Sequence, residues 1–259
     1  AKGQWKPISD NNEVEPRDGY DVISTIDVNI QDIAHHALLK QLEDFEAEHG
    51  TVIVMETATG EIKAMSNLGR TDEGTYYEKR NYAVYEAHEP GSTFKLMAMV
   101  AALEDGVIDT SQIVDTENGV VRFYGRAVRD SHHGGYGKIS AARAFEVSSN
   151  TAFTKMISEG YKNNPGKFVD RLDDMGGTRK IGLEIKGGGT PRIPHPDDKG
   201  WNGLSLPWMA FGYGVAVTPL QTLTFYNAIA NDGEMVKPRF IKEVKEWDKT
   251  IVKMEREVM

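Results

Sequence analysis

Residues 89–105 read EPGSTFKLMAMVAALED, and the interpretation of the whole chain starts from this stretch. A Pro-Gly pair at 90–91 breaks the backbone, and an apolar run then extends from Ser92 to Asp105 before Gly106 ends it. Apolar side chains occur on nearly every side of this segment, as in a helix that is buried in a protein core. The stretch therefore predicts a central, buried helix that begins at Ser92.

Ser92 and Lys95 are one helical turn apart, so the serine hydroxyl and the lysine amine can touch. A serine hydroxyl needs an adjacent base to act as a nucleophile. A lysine amine can be that base if burial and a helix N-terminus lower its pKa, and the same N-terminus directs N–H groups at an oxyanion. With 11 Ser and 18 Lys in 259 residues, roughly 0.8 Ser-x-x-Lys matches are expected by chance. The alternative is an N-cap serine followed by a solvated lysine.

A second polar cluster, Ser148-Ser149-Asn150, lies between two predicted helices downstream of Ser92. It can supply further catalytic groups, or it can cap the helix that follows, and both can hold together. Ser9-Asp10-Asn11 has a similar composition, but it precedes Ser92 in a polar segment and is interpreted as a turn or cap.

Helical and alternating patterns are mixed along the chain, which indicates the α+β class. Residues 1–20 are polar and irregular and are interpreted as a linker or as a strand that arrives from an upstream region, and 21–259 are predicted to form one domain. The predicted elements are a helix from Val28 to Glu48 capped by Asp27, a hairpin over 51–56 and 61–65, helices at 139–147, 150–160, 165–175 and 218–231, and two strands joined by Asp248 within 239–255.

Composition excludes several classes of function. The net charge of -9 argues against a nucleic-acid partner, because phosphate binding requires a basic face. The chain has no cysteine, so disulfides and thiolate chemistry are excluded. His132-His133 could suggest a metal, but no partner with ligand spacing lies nearby in the sequence, so neither a metal nor another cofactor is expected.

Long stretches resemble the transpeptidase domain of penicillin-binding proteins, a family whose signature combines Ser-x-x-Lys, Ser-x-Asn and Lys-Thr-Gly. The resemblance extends over about residues 20–245, and its clearest segments are STIDVNIQDIAHHAL (24–38), VIVMETATGEIKAMSN (52–67), EPGSTFK (89–95), HHGGYGKISAARAFEVSSNTAF (132–153) and FGYGVAVTPLQTLTFYNAIANDG (211–233). It is strongest to the monofunctional, class B enzymes of cell division or elongation. It implies the penicillin-binding protein and serine β-lactamase-like fold, an antiparallel sheet with a helical subdomain.

The resemblance also implies a role for each site residue. Ser92 would be the acylated nucleophile and Lys95 its general base. Ser148 would relay a proton to the leaving amine, and Asn150 would hold the amide side chain of the substrate. The substrates would be peptidoglycan stem peptides that end in D-Ala-D-Ala, and β-lactam antibiotics would acylate the same serine.

One signature motif is absent from the chain. Neither Lys-Thr-Gly nor Lys-Ser-Gly occurs, and Lys186-Gly187-Gly188 and Lys249-Thr250-Ile251 are the nearest strings. In the family this motif lies on a strand that lines the site and supplies an oxyanion N–H, and two more strands and a closing helix follow it. We therefore expect that the last strands and the C-terminal helix are missing here. Loss of one oxyanion donor costs about 10²–10³ in rate, so the activity of this chain by itself stays open.

Location and partners follow from the same resemblance. The parent protein would act on the periplasmic side, anchored in the inner membrane by an upstream segment, with a membrane glycosyltransferase and the division or elongation machinery as partners. The alternatives are a hydrolase of the same fold (a D,D-carboxypeptidase or serine β-lactamase), a β-lactam sensor, and an unrelated helical scaffold. Glu184 lies where a deacylating glutamate would occur, but it lacks the accompanying Asn and is interpreted as an ordinary charged residue.

Overall fold

A computed structural model of the chain describes residues 18–177, 179–185 and 187–259. Its strands are β1 (Asp21–Ser24), β2 (His49–Met55), β3 (Ile62–Arg70), β4 (Tyr76–Glu78), β5 (Ile113–Asp115), β6 (Val120–Phe123), β7 (Arg126–Arg129), β8 (Lys138–Ser140), β9 (Ile241–Glu246) and β10 (Lys249–Lys253). Its helices are α1 (Val28–Phe45), α2 (Tyr82–Tyr85), α3 (Lys95–Glu104), α4 (Ala141–Glu146), α5 (Asn150–Gly160), α6 (Pro165–Asp174), α7 (Ser205–Met209) and α8 (Pro219–Ala230), and a 3₁₀ turn covers Gly91–Phe94.

Two compact units divide the chain. The smaller unit comprises the described residues 18–24 and 241–255, and its antiparallel sheet has the order β1-β9-β10. The two strands predicted in the tail are β9 and β10, separated by Trp247 and Asp248. Most of the predicted linker and the whole Ser9-Asp10-Asn11 triplet lie outside the described residues, so both remain predictions.

The larger unit comprises 25–240 and 256–259, and it contains an antiparallel sheet of order β2-β3-β4. The Asp27 side chain caps α1 by accepting from Asn29 N and Ile30 N, as the sequence predicts. The helix ends at Phe45, three residues before the predicted end, because Glu46 adopts the left-handed conformation (φ +48°). The chain changes direction at this C-cap, and β2 begins three residues later at His49.

The core of the larger unit surrounds α3. Phe94, Met97, Ala98 and Ala101 are each at most 1% exposed, as the apolar character of the stretch predicts. They pack against side chains of α5 and α6, among them Phe153, Ile157, Phe168 and Leu172. The small alanines let these helices approach closely, and α3 is thereby fixed at the centre of the unit.

Two pairs of short strands were not predicted from the sequence. β5 pairs with β8, and β6 pairs with β7, both antiparallel. Residues 138–140 therefore belong to a strand, and the helix predicted at 139–147 begins only at Ala141. Val121 and Val128 of the β6–β7 hairpin form a separate apolar cluster with Phe211. The other predicted helices, at 150–160, 165–175 and 218–231, agree with α5, α6 and α8 to within one residue at each end.

The mixture of helices and antiparallel sheets confirms the predicted α+β class. Along the described part of the chain, no helix has both the length and the apolar character to cross a bilayer.

A buried polar network fastens the C-terminal end of α3. The Tyr161 hydroxyl donates to Asp105 Oδ2 at 2.8 Å and to Ala101 O at 3.1 Å. Arg171 Nε and Nη2 donate to Asp105 Oδ1 at 3.0 and 2.8 Å. The Asp105 side chain is only 1% exposed, so its carboxylate depends on these donors for compensation of its burial.

We expect Tyr161→Phe to lower the free energy of unfolding by about 1–3 kcal/mol, because the buried Asp105 carboxylate loses the hydroxyl donor. Urea denaturation followed by circular dichroism measures this change. Tyr124→Phe is the matched control, since Tyr124 is 80% exposed and such a surface change should stay within about 0.5 kcal/mol. Equal loss in the two variants would contradict a stabilising role for the network.

Candidate active site

The structure places Ser92 in the 3₁₀ turn Gly91–Phe94, immediately before α3 begins at Lys95. The predicted single helix is therefore a tight turn followed by an α-helix. The tighter turn leaves the Ser92 side chain exposed, whereas Phe94 and Lys95 are 0% and 1% exposed. Ser92, the candidate nucleophile, therefore faces solvent, while the buried side chains of Phe94 and Lys95 hold the backbone next to it.

Lys95 Nζ lies at the centre of a polar cluster. Among the described residues, four oxygen atoms lie within hydrogen-bond distance of it: Ser92 Oγ at 3.1 Å, Ser148 O at 2.7 Å, Ser148 Oγ at 2.9 Å and Asn150 Oδ1 at 2.6 Å. The four residues selected from the sequence therefore come together around one amine. Ser148 and Asn150 reach it across more than fifty residues of chain.

Burial changes the acid–base character of this amine. Desolvation lowers the pKa of Lys95 from 10.5 to about 8, and the negative charge of Asp130 partly opposes that shift. The Phe153 ring lies 5.6 Å from Nζ and forms part of the apolar surroundings. A substantial fraction of Lys95 can then be neutral in mildly alkaline solution, as a general base requires.

Ser148 has a strained backbone. Its φ of +54° places it in the left-handed region, where a non-glycine residue is held only by its surroundings. The alternative interpretation of the triplet, a helix cap, holds for the neighbouring residue, because Ser149 Oγ accepts from Ala152 N at 3.1 Å and caps α5. The Ser148 hydroxyl is consequently left to contact Lys95.

Asn150 is the first residue of α5, and both ends of its amide are engaged. Oδ1 accepts from Lys95 Nζ, and Nδ2 donates to Arg129 O at 2.9 Å. The acceptor end of the amide thus faces the cation and the donor end faces a carbonyl group. This arrangement fixes the side chain while leaving one N–H of the amide for a further acceptor.

Sequence reasoning missed two further contributors. Asp130 follows β7 and accepts hydrogen bonds from Ser149 and Thr151, and no local sequence pattern marks it. Gly212 has a φ of +86°, and a Cβ there would lie 2.0 Å from Gly91 O. Gly212 lies in the 211–233 segment that carries the family resemblance, but the sequence alone did not show that its glycine lets one backbone approach another.

A cleft of about 470 Å³ opens at Glu89, three residues before Ser92 in the chain. Its lining includes Asp198, Arg192 and Trp208, so charged and apolar groups face the same space. Glu89 also accepts from Gly214 N at 2.8 Å, which ties the loop before Ser92 to the Gly-Tyr-Gly loop. A mixed lining of this kind suits a peptide ligand.

No group of three His, Cys, Asp or Glu side chains with metal-binding geometry occurs in residues 18–177, 179–185 and 187–259. The His132 ring stacks on Tyr136 with centroids 5.2 Å apart. Of the two strings nearest to Lys-Thr-Gly, Lys186 lies outside the described residues, and Lys249–Ile251 lies in β10 of the smaller unit.

Comparison with known proteins gives consistent relatives. The chain is 28% identical over 94% of its length to stage V sporulation protein D of Bacillus subtilis, covering 38% of that protein. It is 29% identical over 96% to penicillin-binding protein PbpB of Mycolicibacterium smegmatis, covering 39% of it. It is 29% identical over 88% to the probable peptidoglycan D,D-transpeptidase PenA of Neisseria meningitidis, again covering 39%. The chain thus spans about two fifths of these relatives.

Solved structures give the same picture. Penicillin-binding protein 3 of Mycobacterium tuberculosis matches in apo form with a TM-score of 0.77 and 26% identity, over 93% of this chain and 54% of that one. The same protein in complex with aztreonam matches with a TM-score of 0.77 and 27% identity, over the same shares of the two chains. These neighbours confirm the predicted fold.

The family model described as the penicillin-binding protein transpeptidase domain matches residues 50–259. That match covers most of the chain and includes all four candidate site residues. The chain belongs to the penicillin-binding protein transpeptidase domain family.

Proposed function

We propose that this domain is a peptidoglycan D,D-transpeptidase that forms an acyl-enzyme on Ser92 and is acylated by β-lactams at the same atom. The observation that carries the proposal is the buried Lys95 amine, 3.1 Å from Ser92 Oγ and with its pKa lowered to about 8. Relatives named D,D-transpeptidase and a neighbour bound to aztreonam support the assignment.

Acylation would begin with transfer of the Ser92 hydroxyl proton to neutral Lys95. Ser92 Oγ then bonds to the carbonyl carbon of the penultimate D-Ala, and the C–N bond to the last D-Ala breaks. The leaving amine takes a proton from the Lys95 ammonium through the Ser148 hydroxyl, whose oxygen lies 2.9 Å from Nζ. The result is an ester on Ser92, free D-Ala and a neutral lysine again.

Deacylation would reverse these roles with a different nucleophile. The amine of a second stem peptide attacks the ester carbonyl, Lys95 takes a proton from that amine, and Ser92 regains its hydroxyl hydrogen as the cross-link forms. Attack by water would make the domain a carboxypeptidase or a β-lactamase. A sensor would stop at the acyl-enzyme.

The setting of the reaction is part of the proposal. Transpeptidase domains of this family are extracytoplasmic, and we infer that the parent protein is anchored in the inner membrane. We also infer that it works with a membrane glycosyltransferase and with division or elongation proteins. A sporulation protein and the PbpB and PenA proteins among the relatives support a class B role but not one specific machinery.

Fluorescent penicillin should label the chain covalently, and Ser92→Ala should abolish the label. Ser111→Ala is the matched control, because it removes an exposed serine hydroxyl elsewhere in the larger unit. Gel fluorescence after denaturation measures the label, and its decay after removal of free penicillin separates a slow transpeptidase from a β-lactamase. Absence of label, both on the folded chain and on a longer chain containing Lys-Thr-Gly, would contradict the proposal.

The acylation rate constant should rise as the pH passes through about 8 and level off above it, because only neutral Lys95 can take the Ser92 proton.

The Lys95→Arg substitution should lower the acylation rate constant by a factor of about 10²–10⁴, since a guanidinium stays protonated and cannot act as the base. Stopped-flow acylation by a chromogenic β-lactam measures both. A Lys95→Arg variant with the wild-type rate would exclude Lys95 as the base.

Gly212→Ala should slow acylation by about 10² or more, because its Cβ would displace the Gly91 carbonyl next to the nucleophile. Gly233→Ala is the control for backbone strain alone: φ there is +88°, and nothing lies within 4 Å of an added Cβ. The ratio of the two acylation rate constants measures the effect of the contact with Gly91 separately from that of backbone strain. Equal rates in the two variants would show that the close approach to Gly91 has no part in catalysis.

A further inference from the structure

The Asp130 carboxylate binds the residues on both sides of Asn150. Oδ1 accepts from Ser149 Oγ at 3.1 Å and from Thr151 N at 2.9 Å. Oδ2 accepts from Ser149 Oγ at 3.2 Å and from Thr151 Oγ1 at 2.8 Å. The side chains of Ser149 and Thr151 are completely buried, so these contacts are shielded from competing water.

Arg129, the residue before Asp130, also binds the turn from Ser149 to Thr151. Arg129 O accepts from Asn150 Nδ2 at 2.9 Å. The end of β7 therefore contacts all three residues from Ser149 to Thr151, two through the carboxylate and one through the backbone.

Asp130 is itself held by the hairpin that carries it. Its N–H donates to Gly119 O at 2.9 Å, which closes the base of the β6–β7 hairpin. Val121 and Val128 anchor that hairpin in the apolar cluster with Phe211. The carboxylate is thus mounted on a packed element, as a residue that positions others requires.

The turn that Asp130 holds is the strained one. Ser148 keeps a φ of +54° only while its neighbours fix the backbone on either side. That conformation is also the one in which both oxygens of Ser148 contact Lys95 Nζ, at 2.7 and 2.9 Å. A turn that relaxed toward ordinary dihedral angles would move those oxygens away from the amine.

We propose that Asp130 is a positioning residue for acylation, because its carboxylate clamps Ser149 and Thr151 so that Ser148 and Asn150 present their oxygens to Lys95. The proposal rests on the proposed function, since it assigns a task within that reaction. The hydrogen bonds of Asp130 within the described residues go to Gly119, Ser149 and Thr151 and not to Ser92, so Asp130 acts through the turn.

The charge of Asp130 adds a second, separable effect. The groups that face Lys95 Nζ are Ser92 from the 3₁₀ turn, Ser148 and Asn150 from the turn into α5, and the Phe153 ring from α5. Burial lowers the pKa of Lys95, and Asp130 is the charged group that raises it. Removal of that charge disfavours the ammonium form, so the pKa of Lys95 should fall further and the acid limb of the acylation profile should move to lower pH.

Three variants separate the effect of the hydrogen bonds of Asp130 on the turn from the effect of its negative charge on Lys95. Asp130→Asn keeps a side chain that can bond to Ser149 and Thr151 but removes the charge. Asp130→Ala removes both. Thr151→Val keeps the charge and removes the Oγ1 hydrogen bond. Asp109→Asn is the matched control, because that exposed carboxylate caps a local turn at Ser111.

The measurement is the second-order rate constant for acylation by a chromogenic β-lactam, as a function of pH below and above about 8. We expect Asp130→Asn to move the acid limb down by about one pH unit with less than a tenfold loss of the plateau rate. Asp130→Ala should lower the plateau rate constant by a factor of about 10², because the turn is displaced. Thr151→Val should lower the plateau of the acylation rate constant without changing the pH at which the rate rises. Asp109→Asn should have the same rate profile as wild type.

A purely structural role for Asp130 would lower the folded fraction and would leave the pH at which the limb lies unchanged. An unshifted limb in Asp130→Asn, together with a wild-type plateau in Thr151→Val, would overturn the proposal, even if Asp130→Ala does not fold. If wild type is acylated neither as this chain nor as a longer chain containing Lys-Thr-Gly, or if Ser92→Ala still labels, the proposed function fails instead. The two failures are thereby distinguished.

Discussion

The site depends on the burial of one lysine amine beside the apolar core that surrounds α3. Lys95 begins α3, whose other side chains are almost wholly apolar and enclosed by α5 and α6. A charge in such surroundings is costly unless polar groups meet it. Ser148 and Asn150 bring three of the oxygen atoms that do so, and they lie far from Lys95 in sequence. The core therefore determines where the second polar cluster has to be.

The small cluster of Val121, Val128 and Phe211 connects the two halves of the site. On one side it fixes the hairpin that ends in Asp130 and holds the turn before α5. On the other side Phe211 precedes Gly212, whose carbonyl accepts from Gly91 N at 3.1 Å. Apolar packing of this cluster thus supports both the loop that contacts Gly91, next to Ser92, and the turn that contacts Lys95. A change in this cluster would disturb both halves together, as expected for closely packed interiors.

Local rules were enough to predict the long helices and the first two candidate residues. The spacing of Ser92 and Lys95 follows from one helical turn, and the apolar run around them indicates burial. The 3₁₀ turn was not predicted, and its first residue, Gly91, is in close contact with Gly212, which is distant in the chain. The short strands β5 to β8 are three or four residues long, too short for alternation to be recognised.

Asp130 escaped prediction for a related reason. Its importance lies in what its carboxylate accepts from Ser149 and Thr151, and no local pattern encodes a contact that forms only after the chain folds. Ser149 could be recognised as a cap candidate, but the sequence could not say that it, and not Ser148, occupies the cap. That distinction follows from the left-handed backbone at Ser148. It decides which of two adjacent hydroxyls is available to the lysine.

The direction in which Lys95 can accept a proton follows from the chemistry of its neighbours. An ammonium group donates three hydrogen bonds, and a neutral amine donates two and has one lone pair. Ser148 O and Asn150 Oδ1 have no hydrogen to give, and they are the two nearest oxygens, at 2.7 and 2.6 Å. They should therefore take both N–H groups of the neutral amine. The lone pair is then left to the hydroxyls of Ser92 and Ser148, so the two acceptors that compensate the buried charge also direct the proposed base toward the proposed nucleophile and the proposed relay.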